Sequence, residues 1–331
     1  MSNLHSPISL SSTDSILPTD VEPGLARYTR LSPMARGGVA QLRSAYDPVT
    51  GRTVAIKSLL PDTPDSRRER KRLLREARIT AQLEHPNTVP VYDIGMDEVD
   101  GPFFVMKRIS GENLFEILKR IAMGDEQTAR DFPVVKRLEI LADACQALIY
   151  SHVRGVIHRD VKPENIWVGN FGEVILLDWG AAKVWGDNFE EGAARSSSLV
   201  DPRDLPQTLT LADQRIGTPL YMSPEQITGR GSLDERSDIF SVGTCIYDVA
   251  AMREPFRGRD VQETFDNIVN RRPEMLSGNA RVVDSWSEEI KQLQSVPPQV
   301  DTIFEKATEK SPGDRYGSMR ELVQAIRSAI G

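Results

Sequence analysis

The residues best suited to chemistry lie together in the stretch His158-Arg159-Asp160-Val161-Lys162-Pro163-Glu164-Asn165. It brings a carboxylate (Asp160), an ammonium (Lys162) and an amide (Asn165) within six residues of one another. A carboxylate can orient and deprotonate a hydroxyl, an ammonium can hold a phosphate, and an amide oxygen is a hard ligand suited to magnesium. A second carboxylate, Asp178, follows the next strand-like run, where a second metal contact would be needed. The spacing favours a site that handles phosphate and a divalent metal.

The octapeptide followed by Asp178-Trp179-Gly180 resembles H-R-D-x-K-P-x-N and D-F-G of Hanks-type (eukaryotic-type) protein kinases. The alternative for a loop of this composition is a surface turn with scattered charges, and the full octapeptide at the family's spacing argues against it. The resemblance implies that Asp160 and Lys162 are catalytic. It also implies that Asn165 and Asp178 hold Mg²⁺, with Mn²⁺ as an alternative. Trp in place of Phe, together with the loop sequences, resembles bacterial members of the family.

A two-lobed α+β fold is implied by the same resemblance. Residues 25–109 would form a β-rich N-lobe with one helix, called helix C in the family, and residues 110–331 a mostly helical C-lobe. A chain of 331 residues is long enough for two packed lobes. Residues 1–24 are rich in Ser, Pro, Thr and Asp and predict a disordered leader, with a docking or phosphorylated tail as the alternative.

A degraded glycine-rich hairpin is expected at the start of the N-lobe. In the family its glycines let the backbone approach the ATP phosphates. Counting back from Lys57, Ala35 and Ala40 stand at the first and third glycine positions, whereas Gly37 keeps the second with Gly38 beside it. The residues that the resemblance assigns to the nucleotide are Met34, Ala35, Arg36, Gly37, Gly38, Leu42, Ala55, Lys57, Glu76, Met106, Lys107, Ile109 and Asn113.

Val54-Ala55-Ile56-Lys57 resembles the family's third strand, whose lysine pairs the α- and β-phosphates. A lone lysine at a strand end is ordinarily a solvated edge charge, so this interpretation requires an acidic partner. The helical run from Ser66 to Leu83 resembles helix C and supplies Glu76. Its many basic residues predict a solvated helix face, with a regulatory anion-binding patch as the alternative.

The fifth strand is expected at Phe103-Phe104-Val105-Met106, which makes Met106 the gatekeeper and Lys107-Arg108-Ile109 the hinge. Members of the family usually carry an acidic residue after the gatekeeper, so Lys107 is a departure. Because backbone groups of the hinge bind adenine, the side-chain change is compatible with nucleotide binding.

Two helices are predicted early in the C-lobe, at Leu114 to Ile121 and Val134 to Val153, the second of them long and buried. His152 is expected to serve in packing. By resemblance, Asp238 should brace the backbone of the catalytic loop.

The segment Gly217–Glu225 resembles the end of the activation segment of Ser/Thr kinases. There Thr218 would bond to Asp160 and Lys162, and Glu225 would form a structural ion pair with Arg315. Thr210, eight residues before Thr218, is the expected site of autophosphorylation. Ordinary loop hydroxyls are the alternative.

Composition argues against several classes of protein. A net charge of −7 is unfavourable for general nucleic-acid binding. No run approaches the roughly 18 apolar residues of a membrane span, and the N-terminus lacks the pattern of a secretory signal. Cys145 and Cys245 lie in apolar helical patterns, which favours buried thiols over a disulfide. These features predict a cytoplasmic protein.

The resemblance therefore implies transfer of the γ-phosphoryl group of ATP to Ser or Thr hydroxyls of proteins, with autophosphorylation and self-association for reaction in trans. A competing class is a pseudokinase that serves as a nucleotide-sensing or scaffold module, supported by the degraded hairpin and Lys107. A third class, a small-molecule phosphotransferase on the same fold, is disfavoured by the intact Thr218–Glu225 segment.

Overall fold

The computed structural model describes residues 24–61, 63, 66–98, 100–184, 219–229, 233–276, 283 and 286–331. The described chain divides into two compact units. One contains the residues as far as Glu84 together with Val89–Gly111, and the other contains His85–Thr88 and Glu112–Gly331. The leader predicted for residues 1–24 lies outside the described residues except for Gly24, which begins a 3-10 helix over Gly24–Arg27.

The N-terminal unit is an antiparallel sheet of five strands in the order β1-β2-β3-β5-β4, with one α-helix. Turn chemistry explains the β2–β3 connection, because Asp47 accepts from the Val49 N–H (3.0 Å) and the Thr50 hydroxyl (2.7 Å), and Gly51 adopts a φ of +68°. The bounds are β1 Thr29–Arg36, β2 Ala40–Asp47, β3 Arg52–Leu59, α1 Ser66–Gln82, β4 Val91–Asp97 and β5 Gly101–Lys107.

Strand β5 is buried on both faces of the sheet. Phe103 and Val105 belong to a cluster that also contains Tyr28, which follows the 3-10 helix. Phe104, between them, packs on the other face against Leu73 of α1. Because successive strand residues point to opposite faces, one apolar strand supplies both cores.

The C-terminal unit is mostly helical, and α6 is buried along nearly its whole length. It packs against α4, α9 and α10, and two small sheets, β6-β8-β9 and β7-β10, accompany the helices. The helices are α2 Leu114–Ala122, α3 Glu126–Asp131, α4 Val134–Val153, α5 Pro224–Thr228, α6 Glu235–Ala251, α7 Val261–Asn270, α8 Glu288–Leu293, α9 Gln299–Ala307 and α10 Met319–Ile330. The strands are β6 Glu112–Asn113, β7 Val156–Ile157, β8 Ile166–Val168, β9 Val174–Leu176 and β10 Lys183–Val184.

The α+β architecture predicted from the sequence is confirmed, with a sheet-rich N-terminal part followed by a mostly helical part. The segment His85–Thr88 lies within the N-lobe range expected from the sequence, residues 25–109, but groups with the C-terminal unit. The Asn87 carbonyl accepts from the Leu176 N–H at 2.8 Å, and the Asn87 amide donates to the Val174 carbonyl at 2.7 Å. These bonds attach the segment to β9.

Both cysteines, Cys145 in α4 and Cys245 in α6, are buried free thiols. Across the ranges that the structure describes, we find no helix with the length and apolar character needed to span a membrane.

Candidate active site

The stretch His158–Asn165 forms the loop between β7 and β8, and in it the side chains of Lys162 and Asn165 both hydrogen-bond to Asp160. The Lys162 ammonium donates to Oδ2 of Asp160 at 2.7 Å. The Asn165 amide donates to the same Oδ2 at 3.2 Å and to the Asp160 carbonyl at 2.7 Å. The carboxylate, ammonium and amide that the sequence singled out therefore form one hydrogen-bonded group.

The backbone of this loop is held from beneath by the carboxylate of Asp238. Its two oxygens accept from the N–H groups of His158 (2.9 Å) and Arg159 (2.8 Å), as the sequence predicted. Arg159 has a φ of +71°, a conformation that is strained for a side chain other than glycine. Its carbonyl accepts from the Gln226 amide at 2.9 Å. Both backbone groups of the strained residue are therefore fixed, and this fixes the direction in which Asp160 projects.

His152, expected to serve in packing, instead has a specific polar role. Its Nε2 lies 2.7 Å from Oδ2 of Asp238, and its Nδ1 lies 3.5 Å from the Glu235 carboxylate. Burial raises the pKa of Asp238, but the hydrogen bond and charge of His152, the charge of His158 and the Arg159 N–H outweigh it and hold the pKa below its ordinary value. The carboxylate therefore stays ionised, as its role as an acceptor requires.

Asn165 and Asp178, the predicted metal ligands, lie at the same end of the β8–β9 hairpin. The Leu177 N–H donates to the Asn165 carbonyl at 2.8 Å, which extends the antiparallel pairing of Ile166 with Leu176. Asp178 is the next residue, is exposed, and has a φ of +64°. Since the amide nitrogen of Asn165 is used toward Asp160, its amide oxygen is the atom left to bind a cation.

Trp179 packs beside His158. The ring centroids lie 4.5 Å apart in an edge-on arrangement, and Trp179 is 1% exposed. No described residue accepts a hydrogen bond from the indole N–H. The side chain therefore acts through packing within the part of the chain that the structure describes.

The N-terminal unit contains the predicted pair of Lys57 on β3 and Glu76 on α1. Nζ of Lys57 lies 2.5 Å from Oε1 of Glu76, and the side chains are 22% and 11% exposed. α1 presents Glu76 on its buried side, where the Thr80 hydroxyl donates to the Glu76 carbonyl at 2.8 Å. The ammonium of Lys57 is thus oriented by a carboxylate rather than solvated at a strand end.

Five of the residues assigned to the nucleotide share one face of the sheet. Ala35 pairs with Leu42, Leu42 with Lys57, and Ala55 with Met106. Directly paired residues point to the same side of a sheet, and so do Ala55 and Lys57, two positions apart on β3. The strand register therefore gathers them beside the oriented ammonium.

The glycine hairpin turns between β1 and β2, where the Gly37 N–H donates to the Ala40 carbonyl at 2.8 Å. A Cβ built on Gly37 would lie 3.5 Å from that carbonyl oxygen, and one on Gly38 would meet nothing within 4 Å. Met34 and Arg36 lie in β1, which is exposed throughout. The described tip of the hairpin is open, so its backbone is accessible.

The remaining residues assigned to the nucleotide, Lys107, Ile109 and Asn113, lie at the end of β5 and at the start of α2. Lys107 is the last residue of β5, and its N–H donates to the Pro90 carbonyl at 2.9 Å. Ile109 follows the strand and is half-buried. Asn113, in the other unit, caps α2, since its Oδ1 accepts from the Glu116 N–H at 2.9 Å. The structure thus gives Asn113 a helix-capping contact that the sequence analysis did not foresee.

Thr210 and Thr218, predicted for the activation segment, lie in residues 185–218, outside the described residues. Beyond them, the predicted ion pair is present: Nη1 and Nη2 of Arg315 donate to Oε1 and Oε2 of Glu225, each at 2.8 Å. The two side chains are 0% and 6% exposed, so this is a buried bidentate pair.

The sequence analysis did not identify two buried acids, Asp248 and Glu164. The Tyr221 hydroxyl donates to Asp248 at 2.6 Å. Burial raises the pKa of Asp248, which the charge of Glu254 raises further. Burial likewise raises the pKa of Glu164, in the catalytic loop, to about 7. The only sign of these acids in the sequence was Asp248, a carboxylate within the apolar run of α6.

Comparison with known proteins agrees with this geometry. The family model described as the protein kinase domain matches residues 28–326. The chain is 33% identical over 309 residues to the serine/threonine-protein kinase PknD of Chlamydia caviae and to that of Chlamydia felis, covering 92% of this chain and 31% of each relative. The PknD of Protochlamydia amoebophila is 30% identical over 311 residues, or 92% of this chain and 30% of the relative.

The chain thus spans about a third of the length of these curated relatives. The family match, by contrast, extends from β1 to α10 and includes the whole catalytic loop. On this evidence the chain belongs to the protein kinase family.

Proposed function

We propose that this chain transfers the γ-phosphoryl group of ATP to Ser and Thr hydroxyls of proteins. The observation that carries the proposal is the bonded group of Asp160, Lys162 and Asn165 on a loop fixed by Asp238. Positioning and charge stabilisation supply most of the catalysis in phosphoryl transfer. The chlamydial relatives are serine/threonine-protein kinases by name, which supports Ser and Thr as acceptors.

In this proposal Asp160 orients the acceptor hydroxyl and accepts its proton. Lys162 steadies the γ-phosphate, for which it must carry a positive charge. Burial lowers the pKa of Lys162, but the charge and hydrogen bond of Asp160 outweigh it and raise the pKa above its ordinary value. The ammonium therefore remains charged at neutral pH.

Family membership implies the use of ATP and a divalent metal, and the donor atoms fit Mg²⁺. Asn165 and Asp178 would hold the ion through hard oxygen atoms, with Mn²⁺ as an alternative. Among the described residues, no three His, Cys, Asp or Glu side chains group around one metal position. Mg²⁺ usually binds one or two carboxylates together with substrate phosphates. When bound, the ion would neutralise charge on the phosphates.

In the N-terminal unit, Lys57 would hold the α- and β-phosphates, and Glu76 would fix the direction of its ammonium. The adjacent residues of that sheet face would contact the rest of the nucleotide. A pseudokinase remains the second candidate, favoured by alanine at two glycine positions and by the basic Lys107.

One experiment separates these candidates. The protein is incubated with γ-labelled ATP, magnesium and a general protein acceptor, and the phosphorylated residues are mapped. Asp160→Asn serves as the inactive variant and Asp143→Asn, which alters an exposed carboxylate paired with Arg327, as the matched control. The proposal expects label on Ser and Thr with the wild type and the control only. Equal label with Asp160→Asn, or label on Tyr, would contradict it.

Protein substrates, a cytoplasmic location and self-association for autophosphorylation in trans are part of the proposal. Rates that rise with the square of enzyme concentration at early times would support reaction in trans. Cell fractionation tests the location.

A further inference from the structure

Arg137, in the first turn of α4, is a fully buried arginine with few hydrogen-bond acceptors around it. The residue is 0% exposed, and its Nη2 donates to Oε1 of Gln294 at 2.5 Å. Its Nε and Nη1 find no acceptor among the residues that the structure describes. A guanidinium has five N–H donors, so most of those of Arg137 are unsatisfied within the described chain. Burying a charged group in this way is strongly unfavourable unless something else accepts from it.

Arg315 shows how the same unit accommodates a buried guanidinium when acceptors are present. Its side chain is also 0% exposed. Its nitrogens donate to both carboxylate oxygens of Glu225 and to three backbone carbonyls, so that each of them has an acceptor. Arg137 has only the neutral amide of Gln294 where Arg315 has a carboxylate. What Arg137 lacks within the described chain is therefore a negative charge.

The described acids do not supply that charge, since none of them forms an ion pair with Arg137. Burial lowers the pKa of Arg137 to about 9, and the charge of Asp248 opposes that fall. The guanidinium therefore remains protonated at neutral pH. Burial also raises the pKa of Asp248, whose carboxylate already accepts from the Tyr221 hydroxyl. Asp248 is for both reasons a poor counter-charge for Arg137.

The start of α4 adds partial positive charge near the guanidinium. α4 is 20 residues long, has no acidic residue in its first turn, and receives no side-chain hydrogen bond from its capping residue Pro133. The free N–H groups at a helix N-terminus are equivalent to about half a positive charge. A helical side chain points back toward the N-terminus of its helix, so the Arg137 guanidinium is directed toward this end.

The contacts of Gln294 agree with that direction. Its Oε1 accepts from Arg137, and its Nε2 donates at 2.8 Å to the carbonyl of Ala129 in α3, the helix that precedes α4. Gln294 itself is the capping residue at the end of α8. The guanidinium therefore lies where α3, the start of α4 and the end of α8 meet.

We propose that Arg137 and the first turn of α4 bind a chloride ion at this junction. Helix N-termini readily bind anions, and the guanidinium nitrogens without acceptors are the second, independent group of donors. A monatomic anion suits the site because it accepts from several N–H groups at once and fits where no solvent reaches. The ion would neutralise the buried charge and stabilise the start of α4, the helix that carries His152 near its other end. The site is separate from the catalytic loop and does not depend on phosphoryl transfer.

Thermal unfolding of the full chain in chloride and in gluconate tests this site. Chloride replaces gluconate, an anion too large to be enclosed, at constant ionic strength, so that the screening of surface charges does not change. A ligand that binds only the folded chain stabilises it more as its concentration rises. We expect the unfolding temperature to rise by about 2–4 °C for each tenfold increase in chloride above the dissociation constant. An unfolding temperature that is the same in both anions would overturn the proposal.

Two arginine variants locate the effect. Arg137→Met keeps a long side chain but removes the charge, so its unfolding temperature should not respond to chloride. Arg120→Met is the matched control, because the Arg120 guanidinium already has both carboxylate oxygens of Glu112 as acceptors. That variant should keep the wild-type response. A response that survives in Arg137→Met, or one that is lost in Arg120→Met, contradicts a site at Arg137.

Crystals of the wild-type protein grown in bromide give a result that does not depend on how a variant folds. Bromide has the charge of chloride and is located by its anomalous scattering. We expect a peak within hydrogen-bond distance of Nε or Nη1 of Arg137. A map without that peak overturns the proposal, and peaks confined to exposed side chains would show an adventitious ion only and overturn it as well.

Discussion

At the residue scale, Trp179 stands where the family has Phe, and its surroundings show what the larger ring contributes to stability and activity. The indole is 1% exposed, packs edge-on against His158, and finds no acceptor for its N–H among the described residues. A buried donor without a partner contributes nothing favourable in itself. What Trp179 supplies is therefore volume and ring contact, both of which Phe retains in part.

We expect Trp179→Phe to keep phosphoryl transfer and to change the free energy of unfolding by less than about 1.5 kcal/mol. Trp179→Ala should cost about 3–5 kcal/mol because it leaves a cavity. Urea unfolding and a transfer assay measure both. Trp286→Phe is a matched control, since that indole N–H is also buried without a described partner. Loss of activity in Trp179→Phe alone would mean that the indole N–H has a specific acceptor.

The buried carboxyl of Glu164 should make the free energy of unfolding depend on pH. Burial raises the pKa of its carboxyl from 4.5 to about 7, although its own backbone N–H and Lys162 lower it. Below pH 4.5 both the folded and the unfolded chain hold this proton, and between these values only the folded chain does. Raising the pH through that window therefore removes stability, in total about 3 kcal/mol at 1.36 kcal/mol per unit.

Glu164→Gln should accordingly stabilise the protein relative to wild type at about pH 8 and have little effect at about pH 4. Thermal unfolding across this range measures the difference. Glu288→Gln, which changes an exposed glutamate at the start of α8, is the matched control. A difference that is constant with pH would show that the Glu164 carboxyl ionises normally in the folded state.

At the scale of elements, the β1–β2 hairpin lies where the family has its glycine-rich hairpin but carries alanine at two of the glycine positions. Ala35 is paired within β1 and Ala40 begins β2, so each adds a methyl group where the family has glycine. Replacing both with glycine would let the backbone approach a phosphate more closely but would cost about 0.5–1 kcal/mol each in strand stability.

We therefore expect Ala35→Gly/Ala40→Gly to bind ATP more tightly and to unfold at a lower temperature. Nucleotide titration with magnesium and thermal unfolding give the two results. Ser32→Gly, an exposed β1 residue, should lower stability without improving binding. If the double variant bound ATP equally or more weakly, the hairpin would approach the nucleotide in a different conformation from that of the family.

Periodicity and motif spacing predicted the elements with strong local signals. α4 has the predicted bounds, and Glu225 finds Arg315 across 90 positions because both lie in recognisable motifs. His152 was misjudged because nothing near it in sequence indicates Asp238, which lies 86 positions away. The pKa shifts of Glu164 and Asp248 depend on burial among distant residues, which no local pattern records.

At the scale of the whole molecule, activity is expected to depend on phosphorylation of residues 185–218. A guanidinium beside the proposed catalytic carboxylate, here Arg159 next to Asp160, favours a phosphate as a counter-charge. Thr210, with Thr208 as the second candidate, stays a prediction because it lies outside the described residues.

Phosphatase-treated protein should show a lag in transfer that disappears after incubation with ATP. Thr208→Ala/Thr210→Ala should remain slow, whereas replacing Ser196, Ser197 and Ser198 with alanine should leave the kinetics unchanged. Mass spectrometry follows the phosphate. Full activity without a lag in the threonine variant would exclude phosphorylation of these threonines as the switch.

We propose Asp160 as the base, on a loop that the rest of the C-terminal unit holds in place. The most direct measurement is the rate of phosphoryl transfer by Asp160→Asn, together with its affinity for ATP. Asparagine keeps the shape of the side chain but cannot accept the proton, and general-base catalysis is typically worth about 10²–10⁴-fold. The predicted result is a fall in rate of that size with nucleotide affinity largely unchanged. A rate close to that of the wild type would contradict the assignment of Asp160.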